Sequence, residues 1–595
     1  MTLRPMPGRH LYLIALLYVA LVCSCRKAAE QPVALSTSFS HELELDPAKQ
    51  KAIWDAEHIT FALEHRFGDA FLKAWKGKDR KALLSHFARA SVASYPAEKD
   101  SVQQEQAGVH ERRWEVAPDQ APQADDAGLV DFLVALLDPF DQLESIGMRV
   151  TRIKEQEGED NAWWAQILVT LRGSSPGGQV AICESVHEID FSFASEEELG
   201  LERILHGWHV QSVSHRTTRR PLFREVTSDV GLDQVPIPDN WNLEPHRAFH
   251  YRFQVAVDDY DLDGYPDVAV ASYDGRPILL KNIRGQRFAD VGLQLQLNNW
   301  SREARQSPPD KLVNNAVGWV DYNNDGYPDL LMGPYFYRNE KGKGFVDVTA
   351  ESGLVFQRDP MGMAVVDYDG DGFLDLYLYY EVAEQVPGNG TVRPWIGDDK
   401  SGARNQLWHN EGDGSFRDVT DVSQSGAGQR KTTAVNWFFF DDDHLPDLYL
   451  ANDFGVNVLL RNQGDGTFVD ISKETGTSDY STSMGVATGD LDNDGYPEIY
   501  IANMFSKMGR RIIAQVGTQD YPGTVYDQIK GSCAGNRLYR RTGDNQPWQE
   551  SSAEMGINRV GWAYSPAMFD LDGDGWLDIY ASTGYMSFDR RKPDG

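Results

Sequence analysis

Six short acidic stretches hold the residues best suited to chemistry in this chain. Five share one pattern: Asp, any residue, Asp or Asn, any residue, Asp, Gly, two further residues and a closing acid. They read DYDLDGYPD at 259–267, DYNNDGYPD at 321–329, DYDGDGFLD at 367–375, DLDNDGYPE at 490–498 and DLDGDGWLD at 570–578. A sixth, FFDDDHLPD at 439–447, has Phe439 in place of the first acid and His444 in place of the glycine. Ca²⁺ takes about six to eight hard oxygen ligands at roughly 2.3–2.6 Å in loose geometry. Acids at positions one, three and five turn inward together if the chain coils round such an ion. Glycine at position six permits the turn, a carbonyl at position seven adds a ligand, and the acid at position nine closes the set.

On this reading the ligands are Asp259, Asp261, Asp263 and Asp267 in the first loop, and Asp321, Asn323, Asp325 and Asp329 in the second. Asp367, Asp369, Asp371 and Asp375 serve the third; Asp441, Asp443 and Asp447 remain in the degenerate fourth. Asp490, Asp492, Asp494 and Glu498 form the fifth, and Asp570, Asp572, Asp574 and Asp578 the sixth. Five or six structural Ca²⁺ ions are expected, and no other cofactor. An EF-hand would place its last acid at position twelve between two helices. Here the flanks are short and rich in β-branched and aromatic residues (FQVAV, GMAVV before; VAVAS, LYLYY, IYIAN after), so each loop joins two strands.

A second phrase follows each of the first five loops: LLKNIRGQRFADV at 279–291, YFYRNEKGKGFVDVTAESGL at 335–354, QLWHNEGDGSFRDVT at 406–420, VLLRNQGDGTFVDIS at 458–472 and the worn RLYRRTGDNQPWQES at 537–551. It reads as strand, glycine-bearing hairpin, strand. Four strands per repeat make one blade of a β-propeller, and six or seven blades fill residues 221–595. The phrase PLFREVTSDVGL at 221–232 has no loop before it, so it is expected to supply an outer strand that closes the last blade. These repeats resemble the FG-GAP/VCBS class, which includes the integrin α-subunit head, and most of all the bacterial cartilage-acidic-protein-like family. The resemblance covers residues 221 onward. It implies a calcium-loaded propeller used for adhesion or interaction and names no reaction; the sequence ends before the further small domain often found after the propeller in that family, through either truncation or absence of that domain.

Residues 46–220 differ. Phe67, Phe71 and Trp75 share a helical face, Leu83, Leu84 and Phe87 are expected in a following helix, and GLVDFLVALL at 128–137 in another. Long strands follow, with RGSSPGGQ turning a hairpin between the first two. The order makes a smaller α+β domain and resembles the SnoaL-like cone. Trp163, Trp164, His187, His206 and His209 could line a pocket in such a cone; otherwise the tryptophans are core and the histidines face outward on strands. No spacing assigns an acid–base pair, so no catalytic residue is named.

The 595-residue chain carries a net charge of −32. That excess argues against nucleic acid, whose phosphates need Lys and Arg. At the start, Arg4, Arg9 and His10 precede the apolar run LYLIALLYVALV at 11–22, too short to span a bilayer. With Val22 three residues before it and Ser24 just before it, Cys25 resembles the lipidated cysteine of a bacterial lipoprotein signal; an ordinary secretory signal is the alternative. Residues 1–25 are read as leader and 26–45 as tether. The chain is therefore expected outside the cytoplasm: in the cell envelope, attached to membrane only through lipid, or periplasmic or secreted. Cys183 and Cys533 are expected as unpaired thiols, with GSCAG around Cys533 a loop rather than a nucleophile elbow.

Two functions compete. The first is a non-enzymatic binding module for a protein or glycan. The second is a calcium-dependent polysaccharide lyase, with Arg393, Lys507, Arg510 and Arg511 from two insertions converging in the propeller channel. A third assignment makes the front domain a small-molecule sensor.

Overall fold

The computed structural model describes residues 45–97, 101–106, 108–116, 121–156, 158, 161–193, 203–218, 223–235, 253–272, 277–297, 316–357, 360–381, 402–521, 523–541, 543 and 547–584. The leader, Cys25 and the tether lie outside them, as does Arg393.

The front region begins with α1 (Pro47–Ala62), whose N-terminus is capped by Asp46 accepting from the amides of Ala48 and Lys49. A wide turn at Leu63–Phe67 leads into α2 (Gly68–Lys76), and α3 (Arg80–Ser85) and α4 (Asp126–Ala135) complete the helices. Strands β1 (Phe87–Ser94), β2 (Val102–Gln106), β3 (Val109–Glu115) and the short β4 (Gln123–Ala124) precede four long ones. These are β5 (Gln142–Glu155), β6 (Ala162–Ser175), β7 (Gln179–Ser192) and β8 (Leu205–Thr218). The sheet runs β2-β3-β8-β7-β6-β5, with β1 parallel to the start of β8. Phe87 opens β1 instead of continuing the helix, because Leu205 on β8 pairs with it. Strict alternation along β6 and β7 buries one face. On that face Phe71 stacks on Trp208 at 5.0 Å, and the Trp75 indole donates to the Leu133 carbonyl at 2.6 Å.

Among the described residues, five four-stranded antiparallel meanders follow, then a two-stranded sixth: the blades of a β-propeller. Blade 1 has strands Phe253–Asp258, Asp267–Ser272, Ile278–Ile283 and Arg287–Asp290. Blades 2 to 5 start at Val317, Gly362, Thr432 and Tyr480, and the sixth comprises Ala563–Phe569 and Asp578–Thr583. The second strands of blades 2 to 5 are buried on both faces, so their alternate residues serve two neighbours. Leu330 packs with blade 1 and Leu331 with blade 3; Leu376 and Leu378 face blade 2 while Tyr377 faces blade 4. Leu448 and Leu450 then face blade 3, and Tyr449 faces blade 5.

Residues 223–235 depart from expectation. They form turns and the short helix Leu232–Gln234, and pair with no strand among the described residues. The described residues end at Gly584, just past the strand Asp578–Thr583. Residues 223–235 still occupy an outer-strand place. The Phe288 amide of blade 1 donates to the Val230 carbonyl at 2.9 Å, as Phe345 does to Leu295 and Phe416 to Ser352 in the next two blades. Phe223 meets Tyr580 of the sixth blade edge-on, with ring centroids 5.7 Å apart.

The insertion between the second and third strands of blade 5 forms α5 (Lys507–Ile513) and α6 (Gly523–Gly531). It docks on the front domain. Arg511 donates through Nε and Nη2 to both Glu57 carboxylate oxygens at 3.0 and 2.6 Å, and through Nη1 to the Val150 carbonyl at 2.8 Å. Lys49 pairs with Asp520 beside it.

Candidate metal loops

Each acidic loop joins the first and second strands of its blade, and the sequence makes it coil in a fixed way. In loop 3 the first acid turns back on the backbone: Asp367 accepts from the amides of Gly370, Asp371 and Gly372 at 2.8–3.1 Å. Loops 1, 2, 5 and 6 repeat this with Asp259, Asp321, Asp490 and Asp570. Glycine at position six adopts φ near 90° in all five, a region costly to side chains. In loop 4 His444 is forced into it at φ 61°, and Phe439, where the first acid would stand, points to solvent.

The closing acid is the most buried member. Asp267, Asp329, Asp375 and Asp447 have no exposed surface, and Glu498 almost none. Each Asp takes two backbone amides. Asp375 accepts from Tyr368 at 3.2 Å and from Asn410 on the third strand at 2.8 Å, and the other three repeat the pattern with Asn282, Asn339 and Asn462. A carboxylate oxygen has further lone pairs, so these acids retain acceptor capacity toward the loop centre.

That third-strand asparagine was missed by sequence reasoning. The Asn410 side chain donates to its own loop, at the Leu374 carbonyl (3.1 Å), and to the preceding loop, at the Tyr322 carbonyl (2.8 Å). Asn339 links loop 2 to Tyr260 of loop 1, and Asn462 links loop 4 to Tyr368 of loop 3, each at 2.8 Å. Further along, Tyr496 donates to Asp442 and Asn493 to the Gly575 carbonyl, so loops 4, 5 and 6 also touch. The six loops form one continuous row. The only signal in the sequence is the KN, RN or HN dipeptide that opens the outer hairpins of blades 1 to 4, which reads as ordinary turn chemistry.

The carboxylates crowd together without full compensation. Ligand atoms of Asp259, Asp261 and Asp263 lie within 4.8 Å of one another, as do those of Asp367, Asp369 and Asp371, of Asp441, Asp443 and Asp447, and of Asp490, Asp492 and Glu498. Burial, opposed by the backbone amides and reinforced by neighbouring carboxylates, pushes Asp329, Asp375 and Asp447 up to about 7, and Asp267 to about 6. Burial raises Glu498 to about 7 as well. The chain supplies some countercharge from the third strands. Lys281 pairs with Asp261 and Asp263, Arg461 with Asp441 at 2.8 Å and Asp443 at 3.3 Å, and Arg540 with Asp492. These pairs are part-exposed and each contributes at most about 1 kcal/mol. Even so, Asp261 Oδ1 and Asp492 Oδ1 are buried and accept no hydrogen bond. An all-oxygen, hard, unsatisfied donor set fits Ca²⁺.

These acids set a pH dependence. Their folded-state values lie above the ordinary carboxylate range, so between about 4 and 7 the metal-free fold binds more protons than the unfolded chain. Its stability must therefore fall as pH rises through that window. Melting of the chelated protein at stepped pH should show this fall, and saturating Ca²⁺ should abolish it.

The other sequence-predicted candidates do not converge. His187 is not outward-facing but fully buried, bonded to Ser185 at 2.7 Å and accepting from the Trp208 indole at 3.1 Å; burial pushes it down to about 3, so it is neutral. His206 and His209 bond separately to Ser192 and Ser94. Trp163 belongs to the front core, and Trp164 lies under the Lys154 ammonium at 5.0 Å. Arg511 is committed to Glu57, and Arg510 lies over the Phe505 ring at 5.4 Å. Cys183 and Cys533 are free and buried, and burial pushes the Cys183 thiol up to about 12.

With the loops placed, comparison with known proteins becomes informative. A family model of the FG-GAP-like repeat matches residues 259–332, 321–378, 440–501 and 527–581, and one of the FG-GAP repeat matches 484–526. The C-terminal part of this chain is built from FG-GAP repeats. Cartilage acidic protein 1 of Xenopus tropicalis is 26% identical over 427 residues, 61% of this chain and 61% of that protein. The human protein of the same name is 25% identical over 438 residues, 63% of this chain and 61% of its own length. The chain thus spans about 61% of the length of these curated relatives. Among solved structures, a naphthalene 1,2-dioxygenase with indole bound gives a TM-score of 0.17 at 12% identity, over 30% of this chain and 87% of that one. A phenazine biosynthesis-related protein from Pseudomonas aeruginosa gives 0.15 at 9% identity, over 32% and 93%. Scores this low carry no argument.

Proposed function

We propose that the chain is an extracytoplasmic, calcium-stiffened propeller that acts as an adhesion or interaction module for a protein or glycan. The observation that carries this reading is the continuous row of acidic loops, each short of countercharge and tied to its neighbour. Filling it with Ca²⁺ would couple metal binding to the rigidity of a whole rim. In this role Asp259, Asp261 and Asp263, with their counterparts in loops 2, 3, 5 and 6, supply the oxygens. The closing acids anchor each loop to its third strand. Loop 4 contributes Asp441, Asp443 and Asp447.

The rim also presents apolar contact points among its carboxylates: Tyr265, Phe439 and Trp576 are all exposed there. FG-GAP repeats and kinship with cartilage acidic protein 1 support an extracellular setting and an integrin-like interaction role. Among the described residues no helix is long and apolar enough to cross a membrane. Attachment is assigned to lipid on Cys25. The front domain, read as a SnoaL-like cone, is held against blade 5 by Arg511.

The test is a panel of glycans and matrix proteins probed with the chain begun after Cys25, in Ca²⁺ and in chelator. Retention of a ligand in Ca²⁺ and its loss in chelator, with Trp576→Ser weakening it, is the expected result. Depolymerisation of a polysaccharide on the same panel would replace this reading with the lyase one.

A further inference from the structure

The loops differ in the side chain that leans over them from the third strand. Lys281, Arg338, His409, Arg461 and Arg540 hold one register position, each a residue before the asparagine place and paired with the outer strand. Four of them are permanent cations with no lone pair to offer a metal. The fifth is an imidazole.

His409 points its Nδ1 into loop 3. That atom is buried, makes no hydrogen bond, and lies 3.4 Å from Asp369 Oδ2 and 3.3 Å from Asp375 Oδ1. Its Nε2 is 4.0 Å from Asp371 Oδ2. The ring is held edge-on to Tyr368, with centroids 6.1 Å apart. Two ligand atoms about 2.0–2.1 Å from a tetrahedral centre stand about 3.3–3.4 Å apart, the separation found between Nδ1 and both oxygens. The Asn410 and Tyr368 amides fix the Asp375 carboxylate in that orientation, as outer partners do at metal sites.

We propose that loop 3 can exchange its Ca²⁺ for a nitrogen-accepting divalent transition ion of the Zn²⁺ class, held through His409 Nδ1, Asp369 and Asp375, whereas the sister loops serve oxygen-seeking Ca²⁺ alone. The proposal rests on reading the loops as metal sites and adds a metal class to one of them. Imidazole suits Zn²⁺ and its neighbours in the first transition row, while Ca²⁺ gains little from it.

The full chain, with Ca²⁺ held in excess, is titrated with Zn²⁺ alone and with Co²⁺ alone, beside His409→Arg and His409→Gln. Arginine occupies the same place in three sister blades, so H409R is expected to fold. Wild type should take up one equivalent of Zn²⁺ more than either variant, and its Co²⁺ form should show visible d–d bands that both variants lack. Equal uptake by wild type and H409R, or none by either, would overturn the proposal. Ca²⁺ uptake by the same three proteins separates the two readings. Zn²⁺ bound through His409 without any Ca²⁺ sinks the calcium reading alone, and Ca²⁺ without the extra Zn²⁺ sinks this one alone.

Discussion

Replacing Asn410 with alanine should destabilise the propeller by about 3–5 kcal/mol, read as a lower urea midpoint at unchanged slope. Its side chain is fully buried and makes three hydrogen bonds: to the Tyr322 carbonyl, to the Leu374 carbonyl, and from the Gly412 amide at 3.0 Å. Alanine leaves the buried Tyr322 carbonyl unmatched, at about 1–3 kcal/mol, and takes the side-chain partner from the part-buried Leu374 carbonyl and Gly412 amide, at about 0.5–1.5 kcal/mol each. Asn282 is the internal control. It lies at the edge of the row and bonds the Pro266 carbonyl at 3.1 Å in an exposed setting, so Asn282→Ala should cost only about 1 kcal/mol. A similar loss at both sites would show that Asn410 does not pin loop 2 to loop 3.

The second large effect lies at the junction of the front domain and blade 5. Arg511→Ala removes a guanidinium that is only 9% exposed and leaves Glu57, itself 14% exposed, without its partner. Breaking a buried pair from one side costs about 3–5 kcal/mol, because the surviving charge stays desolvated. The expected calorimetric trace splits one transition into two as the front domain and propeller lose their clamp. Glu57→Gln in the same chain should recover much of the loss, since the stranded charge is then gone. If Arg511→Ala melts as a single transition at the wild-type temperature, the contact does not couple the two regions.

The elements differ in how far they could be read in advance. The loops and second strands were legible because a nine-residue motif and two-faced burial leave strong local signatures, as in DYDGDGFLD followed by LYLYY. Strands β6 and β7 were legible because they run long and rich in aromatic and branched apolar residues, as in AWWAQILVTL. The polar strands β2 (VQQEQ) and β3 (VHERRWE) lack such a run and are strands only because the edge of β8 is there to be paired. The helices of the blade 5 insertion were hidden by their shortness and by Gly509, and docking against the front domain stabilises them. Closure by residues 221–232 was half legible. The phrase marks an outer-strand place, and its described residues fill it with turns that bond blade 1 through Val230 and meet the sixth blade through Phe223. The asparagine pins and third-strand cations emerge only when blades are superposed in register, since each is a single residue acting across a blade boundary.

The acidic row is expected to bind calcium and to stiffen the propeller by doing so. Thermal unfolding of the chain begun after Cys25, in millimolar Ca²⁺ and again after chelation, tests this most directly. Several sites, each filled well above its dissociation constant, would each stabilise the fold by about 2–4 kcal/mol. The account therefore predicts a calcium-dependent rise in midpoint well beyond that of a single site, and a chelated protein that loses stability as pH rises from about 4 to 7. An identical midpoint with and without Ca²⁺ would contradict it.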